Sequence, residues 1–209
     1  LYKLSISTLL STRTQLLFKT GPDATDGKMY VITEVADYSM KDYLAARNEQ
    51  NAPLSYETIR NMSKSFCCVI AMLHAKGLVH LDIKPENMMR AGKHWKLIDV
   101  DGCTSIGQKI NINDSTISFS PCYCAPEWAN FLIEDAELLK VSAGLDVWSV
   151  AISLLELIML DAVLKPKYGS IYRQCGSHRK AGFLFLEWLA DQNEGLALDD
   201  KIMKGPKDA

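Results

Sequence analysis

Between Gly77 and Met89 the chain reads GLVHLDIKPENMM, setting a histidine, two acids, a lysine, a proline and an asparagine among apolar residues. Short polar side chains at this density can be aimed at one point if a loop carries them and regular elements hold that loop. Asp82 can accept a proton, Lys84 can neutralise phosphate charge, and Asn87 can offer its amide oxygen to a hard cation. Further along, the segment KLID delivers Asp99 as a second oxygen ligand. Asp, Lys, Asn and a second Asp on adjacent loops suit magnesium-assisted phosphoryl transfer, where catalysis is mostly positioning and charge stabilisation.

Such a cluster needs elements on both sides. Upstream, Ser55 can cap a helix whose apolar positions Ile59, Met62, Phe66, Val69, Ile70 and Leu73 recur at three- and four-residue steps and end at Gly77. Downstream, NMMR and WKLIDV flank AGKH and read as two short strands joined by a tight turn. The polar residues therefore fall on a loop between a helix and a hairpin. KMYVITEVA, Lys28 to Ala36, predicts a strand after the turn-prone GPDATDG. LDVWSVAISLLELIML, Leu145 to Leu160, is apolar all round, shorter than the ~20 residues that span a bilayer, and interrupted by Asp146 and Glu156; it reads as a buried core helix. Residues 104–121 are rich in Ser, Thr, Asn and Asp. The stretch from Asp161 onward alternates short helical pieces with glycine and charge, and its last residues, DDKIMKGPKDA, look poorly anchored.

The 209 residues are 48% hydrophobic and 23% charged, enough for a real core in one large or two small domains. With 23 basic against 25 acidic residues there is no broad cationic surface for a nucleic-acid backbone. The six cysteines, Cys67, Cys68, Cys103, Cys122, Cys124 and Cys175, match neither a secreted disulfide framework nor paired metal knuckles, although Cys122 and Cys124 alone have ligand spacing. Reduced thiols, no visible secretory leader and no membrane span predict a cytoplasmic setting.

HLDIKPEN, KLIDVDG, APE and DVWS occur in the order and approximate spacing of the C-terminal lobe of eukaryotic protein kinases, and over about residues 28–160 the chain resembles that family. The resemblance implies an α+β fold: a mainly α-helical C-lobe over residues 37–209, incomplete at its C-terminus, with a remnant of the N-lobe sheet over residues 1–36 ending at the hinge. It implies ATP and Mg2+ as cofactors and a protein substrate. Asp82 then resembles the catalytic base, Lys84 the partner of the transferred phosphate, and Asn87 and Asp99 the magnesium ligands. The DIK pattern and Ser120, which lies where serine/threonine kinases keep a hydroxyl near the base, imply serine/threonine specificity. Thr33 takes the gatekeeper place, Glu34 and Ala36 offer a carbonyl and an amide to the adenine edge with little weight on side-chain identity, and Met89 floors the adenine. His80 and Val100 match packed spine positions, and Asp146 the buried acid that holds the catalytic loop.

Departures from the family pattern matter as much. Leu81 replaces the arginine that answers an activation-loop phosphate, and Asp99-Val100-Asp101 replaces Asp-Phe-Gly, so Asp101-Gly102 offers a rival metal register two residues on. Glu127 has no obvious arginine partner. No glycine-rich phosphate loop and no in-context strand lysine appear. A fragment of a longer kinase accounts for this; a catalytically inactive kinase relative used as a binding module is the alternative, and a small-molecule phosphotransferase is disfavoured by APEW.

Overall fold

In the computed structural model the described residues are 17–111, 118–134, 137–192 and 195–196. Residues 1–16, the loop hydroxyls Ser115 and Thr116, and the closing DDKIMKGPKDA lie outside them.

Strand β1 (Leu17–Pro22) pairs antiparallel with β2 (Met29–Thr33). The strand predicted to run to Ala36 stops at Thr33, and the chain leaves the sheet at Glu34. After β3 (Tyr38–Ser39) comes helix α1 (Met40–Glu49), which the apolar pattern did not announce because it buries only Met40 and Leu44. Its start is fixed locally: the Ser39 hydroxyl takes the Asp42 amide, and the Asp42 carboxylate takes the Ser39 amide.

Helix α2 (Tyr56–Ala75) is the amphipathic helix expected, capped by Ser55 and burying Met62, Phe66, Val69, Ile70 and Leu73. At Gly77 the chain turns with φ 73°, a left-handed conformation that glycine adopts without strain, and enters β4 (Leu78–Val79). The polar loop follows, closing in a short 3₁₀ turn at Pro85–Asn87. The expected hairpin is β5 (Met88–Ala91) and β6 (His94–Leu97), and with β3 it makes a three-stranded sheet in the order β3-β5-β6. A second 3₁₀ turn, Val100–Gly102, leads to β7 (Thr104–Ser105), which pairs with β4. Strand β8 (Lys109–Asn111) pairs with β9 (Leu138–Lys140) across helix α3 (Pro126–Ile133). The chain continues through α4 (Gly144–Met159), α5 (Lys165–Cys175) and α6 (His178–Ala190).

Two apolar clusters meet at α4. One joins α1, α2 and the hairpin through Met40, Phe66, Met88 and Leu97 to Val150 and Leu157 of α4. The other joins β4, α3 and α6 through Val79, Trp128 and Phe185 to Leu145 and Ile152. A helix sandwiched in this way must be apolar on most of its circumference, as its sequence is. Phe66 and Phe185 are fully buried, and truncating either to alanine would cost about 3–5 kcal/mol. The architecture is α+β and mainly helical. Among the described residues no helix is long and apolar enough to cross a membrane.

Candidate active site

The buried acid of α4 organises the loop. Asp146 is fully buried; its Oδ2 accepts the His80 amide at 2.9 Å and the His74 Nε2–H at 2.8 Å, and its Oδ1 accepts the Leu81 amide at 2.9 Å. Leu81 sits at φ 69°, a left-handed conformation that costs an L-residue roughly 1–2 kcal/mol, so the carboxylate holds a bend the chain would otherwise relax. Its side chain is packed in the second apolar cluster. His80 is buried too: its Nδ1 accepts the Asp82 amide at 3.3 Å and its Nε2–H donates to the Ile98 carbonyl at 3.0 Å. One neutral tautomer satisfies both bonds, so His80 serves packing.

Four predicted residues converge at the loop. Lys84 Nζ donates to Asp82 Oδ2 at 2.6 Å and to Ser120 Oγ at 2.9 Å, tying the loop to the segment before α3. Asp82 Oδ1 is buried and has no hydrogen-bond partner among the described residues. An unpaired buried carboxylate oxygen is costly, and it marks the place where an incoming donor would be welcomed. Asn87 Nδ2 donates to the Asp82 carbonyl at 2.8 Å, which fixes how the amide is turned. The Ile98 amide donates to the Asn87 carbonyl at 2.9 Å, so the residue after Ile98 is delivered beside Asn87.

That residue is Asp99, exposed and held at φ 60°, ψ 40°. Asp101 lies in the 3₁₀ turn beyond it. Asn87 and Asp99 contribute hard oxygens of the kind that hold magnesium, with the Asn87 nitrogen already committed elsewhere, so the donor set fits that ion. Among the described residues no three His, Cys, Asp or Glu side chains form a metal-holding group; Cys124 is buried, with its thiol on the Pro121 carbonyl.

Of the remaining predicted residues, Thr33, Glu34 and Ala36 lie where the chain leaves β2 for β3, and Met89 lies on β5. Thr33 Oγ1 makes a long bond of 3.4 Å to the Glu34 carbonyl, Ala36 is half-buried, and Met89 is half-buried on β5. At Glu34 the side chain is itself engaged. Its carboxylate takes both oxygens to Lys96 Nζ, at 2.6 and 2.8 Å, and Lys96 is buried. In HWKLID a lysine between tryptophan and leucine reads as the solvent face of a strand, which concealed this contact.

A cavity of about 450 Å³ also went unforeseen; Lys41, Glu86, Cys122, Tyr123, Glu156 and Lys165 are among its lining residues. Burial pushes the Glu156 carboxyl up to about 7, although it accepts the Tyr123 hydroxyl at 3.2 Å and the Val163 amide at 3.3 Å. Lys41 pairs with Glu86 Oε1 at 2.6 Å, while Glu86 Oε2 is buried with no partner among the described residues. Burial raises the Cys122 thiol to about 11, so this thiol is not poised as a nucleophile. Glu127 of the APE motif is exposed and has no ion pair among the described residues.

The scaffold is helical, its buried acid clamps a loop bearing Asp, Lys and Asn, and a second Asp stands on the following turn. The family model of the protein kinase domain matches residues 14–188. The chain belongs to the protein kinase family. It is 29% identical over 158 residues to the serine/threonine-protein kinase MPS1 of Saccharomyces cerevisiae, a match covering 71% of this chain and 20% of that protein. It is 31% identical over 136 residues to the maternal embryonic leucine zipper kinase of Danio rerio, covering 64% and 19% respectively. A third relative, the Rho-associated protein kinase let-502 of Caenorhabditis briggsae, is 30% identical over 128 residues, or 58% of this chain and 10% of that one. The matches thus span a tenth to a fifth of these relatives.

Proposed function

We propose that the protein containing this chain transfers the γ-phosphate of ATP to serine or threonine hydroxyls of protein substrates. The observation that carries this reading is the Lys84 ammonium shared between Asp82 and Ser120, with the second Asp82 oxygen buried and unpartnered among the described residues. In that arrangement Asp82 receives and orients the substrate hydroxyl and takes its proton, while Lys84 stabilises charge on the phosphoryl group in transit. Ser120 keeps Lys84 over Asp82. Asn87 and Asp99 would hold a magnesium ion, which supplies charge neutralisation on the nucleotide phosphates. Thr33, Glu34, Ala36 and Met89 would border the adenine, with residues 1–36 as the remnant of the smaller lobe and 37–209 as the larger one. The relatives named as serine/threonine kinases support the acceptor class. Six cysteines without disulfides support a cytoplasmic setting.

The alternative of an inactive binding module is disfavoured by Asp82 itself, since a scaffold gains nothing from a buried carboxylate oxygen left without a donor. The deciding experiment incubates the full-length protein with radiolabelled ATP, magnesium and protein acceptors, then identifies the modified residue. Phosphoserine or phosphothreonine is expected. Phosphotyrosine as the main product overturns the acceptor class, and no incorporation overturns the activity.

A further inference from the structure

We infer that Lys96 is a positioning residue for the nucleotide, acting through Glu34; the inference rests on the proposed ATP site. The connection from β2 to β3 is pinned at its two ends. At its start the Glu34 carboxylate is held by both oxygens on Lys96, and at its end the Asp37 amide donates to the Arg90 carbonyl at 2.7 Å while the Asp37 carboxylate accepts the Gly92 amide at 2.9 Å. Between the pins, Val35 is 91% exposed and adds no apolar packing to the segment. Polar contacts at both ends hold it.

Lys96 is placed to do more than anchor a loop. In the hairpin register it stands directly opposite Met89, and side chains opposite one another in adjacent strands share a face. Trp95 and Leu97, on either side of it, point to the other face, into the core. The face bearing Met89 and Lys96 therefore meets the Glu34 segment, and one ammonium links the proposed floor of the adenine site to its proposed edge. A lysine is seldom buried unless paired, and removing one partner of a buried pair strands the other charge. Removing Lys96 takes both of these bonds from the Glu34 carboxylate and loosens the backbone groups of residues 34–36, which an adenine must find already in place. Ordering them at the moment of binding would weaken affinity.

The test compares Lys96→Met, Lys96→Arg and the unaltered full-length protein by amide hydrogen exchange and by calorimetric titration with ADP. In Lys96→Met, exchange at residues 34–37 rises about tenfold while amides of β5 and β6 keep their rates, and the Kd for ADP rises about tenfold. In Lys96→Arg, whose guanidinium can also grip a carboxylate with two bonds, both return toward the unaltered values. Unchanged exchange in Lys96→Met overturns the inference, as does faster exchange with unchanged affinity, or an arginine variant no better than methionine. An unaltered protein with no measurable ADP affinity would instead overturn the proposed function, and the exchange comparison would still decide whether Lys96 holds the segment.

Discussion

Replacing Asp146 by asparagine keeps the size and shape of the side chain and removes only its charge and one acceptor. In the structure each oxygen has work: Oδ1 serves the Leu81 amide, and Oδ2 serves the His80 amide and His74. The best the amide can do is turn its oxygen toward the pair, leaving its NH₂ facing the Leu81 N–H, donor against donor. One buried donor is then stranded, at about 1–3 kcal/mol, and the two remaining bonds drop from charge-assisted to neutral, at roughly 1 kcal/mol each. The sum is on the order of 3–5 kcal/mol, a large part of the roughly 5–15 kcal/mol that keeps a domain folded. Guanidinium denaturation of Asp146→Asn, with hydrogen exchange at residues 80–82, reads both the global loss and the freed loop. Asp161→Asn, on an exposed side chain, is the control. A loss below about 1 kcal/mol, with loop exchange unchanged, would refute the claim that Asp146 holds the loop at residues 80–82.

Three further outcomes are expected. The Glu156 carboxyl rises from the usual 4.5 to about 7 on folding, so between those values the folded chain holds more protons than the unfolded one and stability falls as pH rises, by about 3 kcal/mol in all; Glu156→Gln should flatten that slope, and parallel pH curves would show that burial does not perturb the group. In the full-length protein, Asp99→Asn should lower magnesium-dependent phosphate transfer about a hundredfold or more while Asp101→Gly retains most of it; the reverse would mean the metal register is off by two residues. Leu81 cannot bond a phosphate, so phosphatase treatment should leave transfer within about twofold, and a large loss mapping to Ser115, Thr116 or Ser118 would sink that expectation.

How far the sequence disclosed this site depended on whether a residue's partner was local. The α2 helix was legible from Ser55 and from apolar spacing, because both signals lie within a few residues. The hairpin and the all-round apolar α4 were legible for the same reason. Asp146 drew notice as an acid in an apolar run, a contradiction that burial resolves by hydrogen bonding. Helix α1 was missed because it offers no apolar stripe, only a cap. The Glu34–Lys96 pair was missed because its members are far apart in the chain and each looks like an ordinary surface charge. The cavity around Glu156 was missed likewise: α1, the Pro85–Asn87 turn, the loop before α3 and the end of α4 must fold together before its lining assembles.

The central claim, that Asp82 is the base of a phosphate-transferring site, is tested most directly by steady-state phosphate transfer in the full-length protein and its Asp82→Asn variant, with ADP affinity measured alongside. The account predicts that kcat falls roughly 10²–10⁴-fold while the Kd for ADP stays unchanged, because the residue acts on the acceptor hydroxyl and not on the nucleotide. Equal kcat in the two proteins would contradict it.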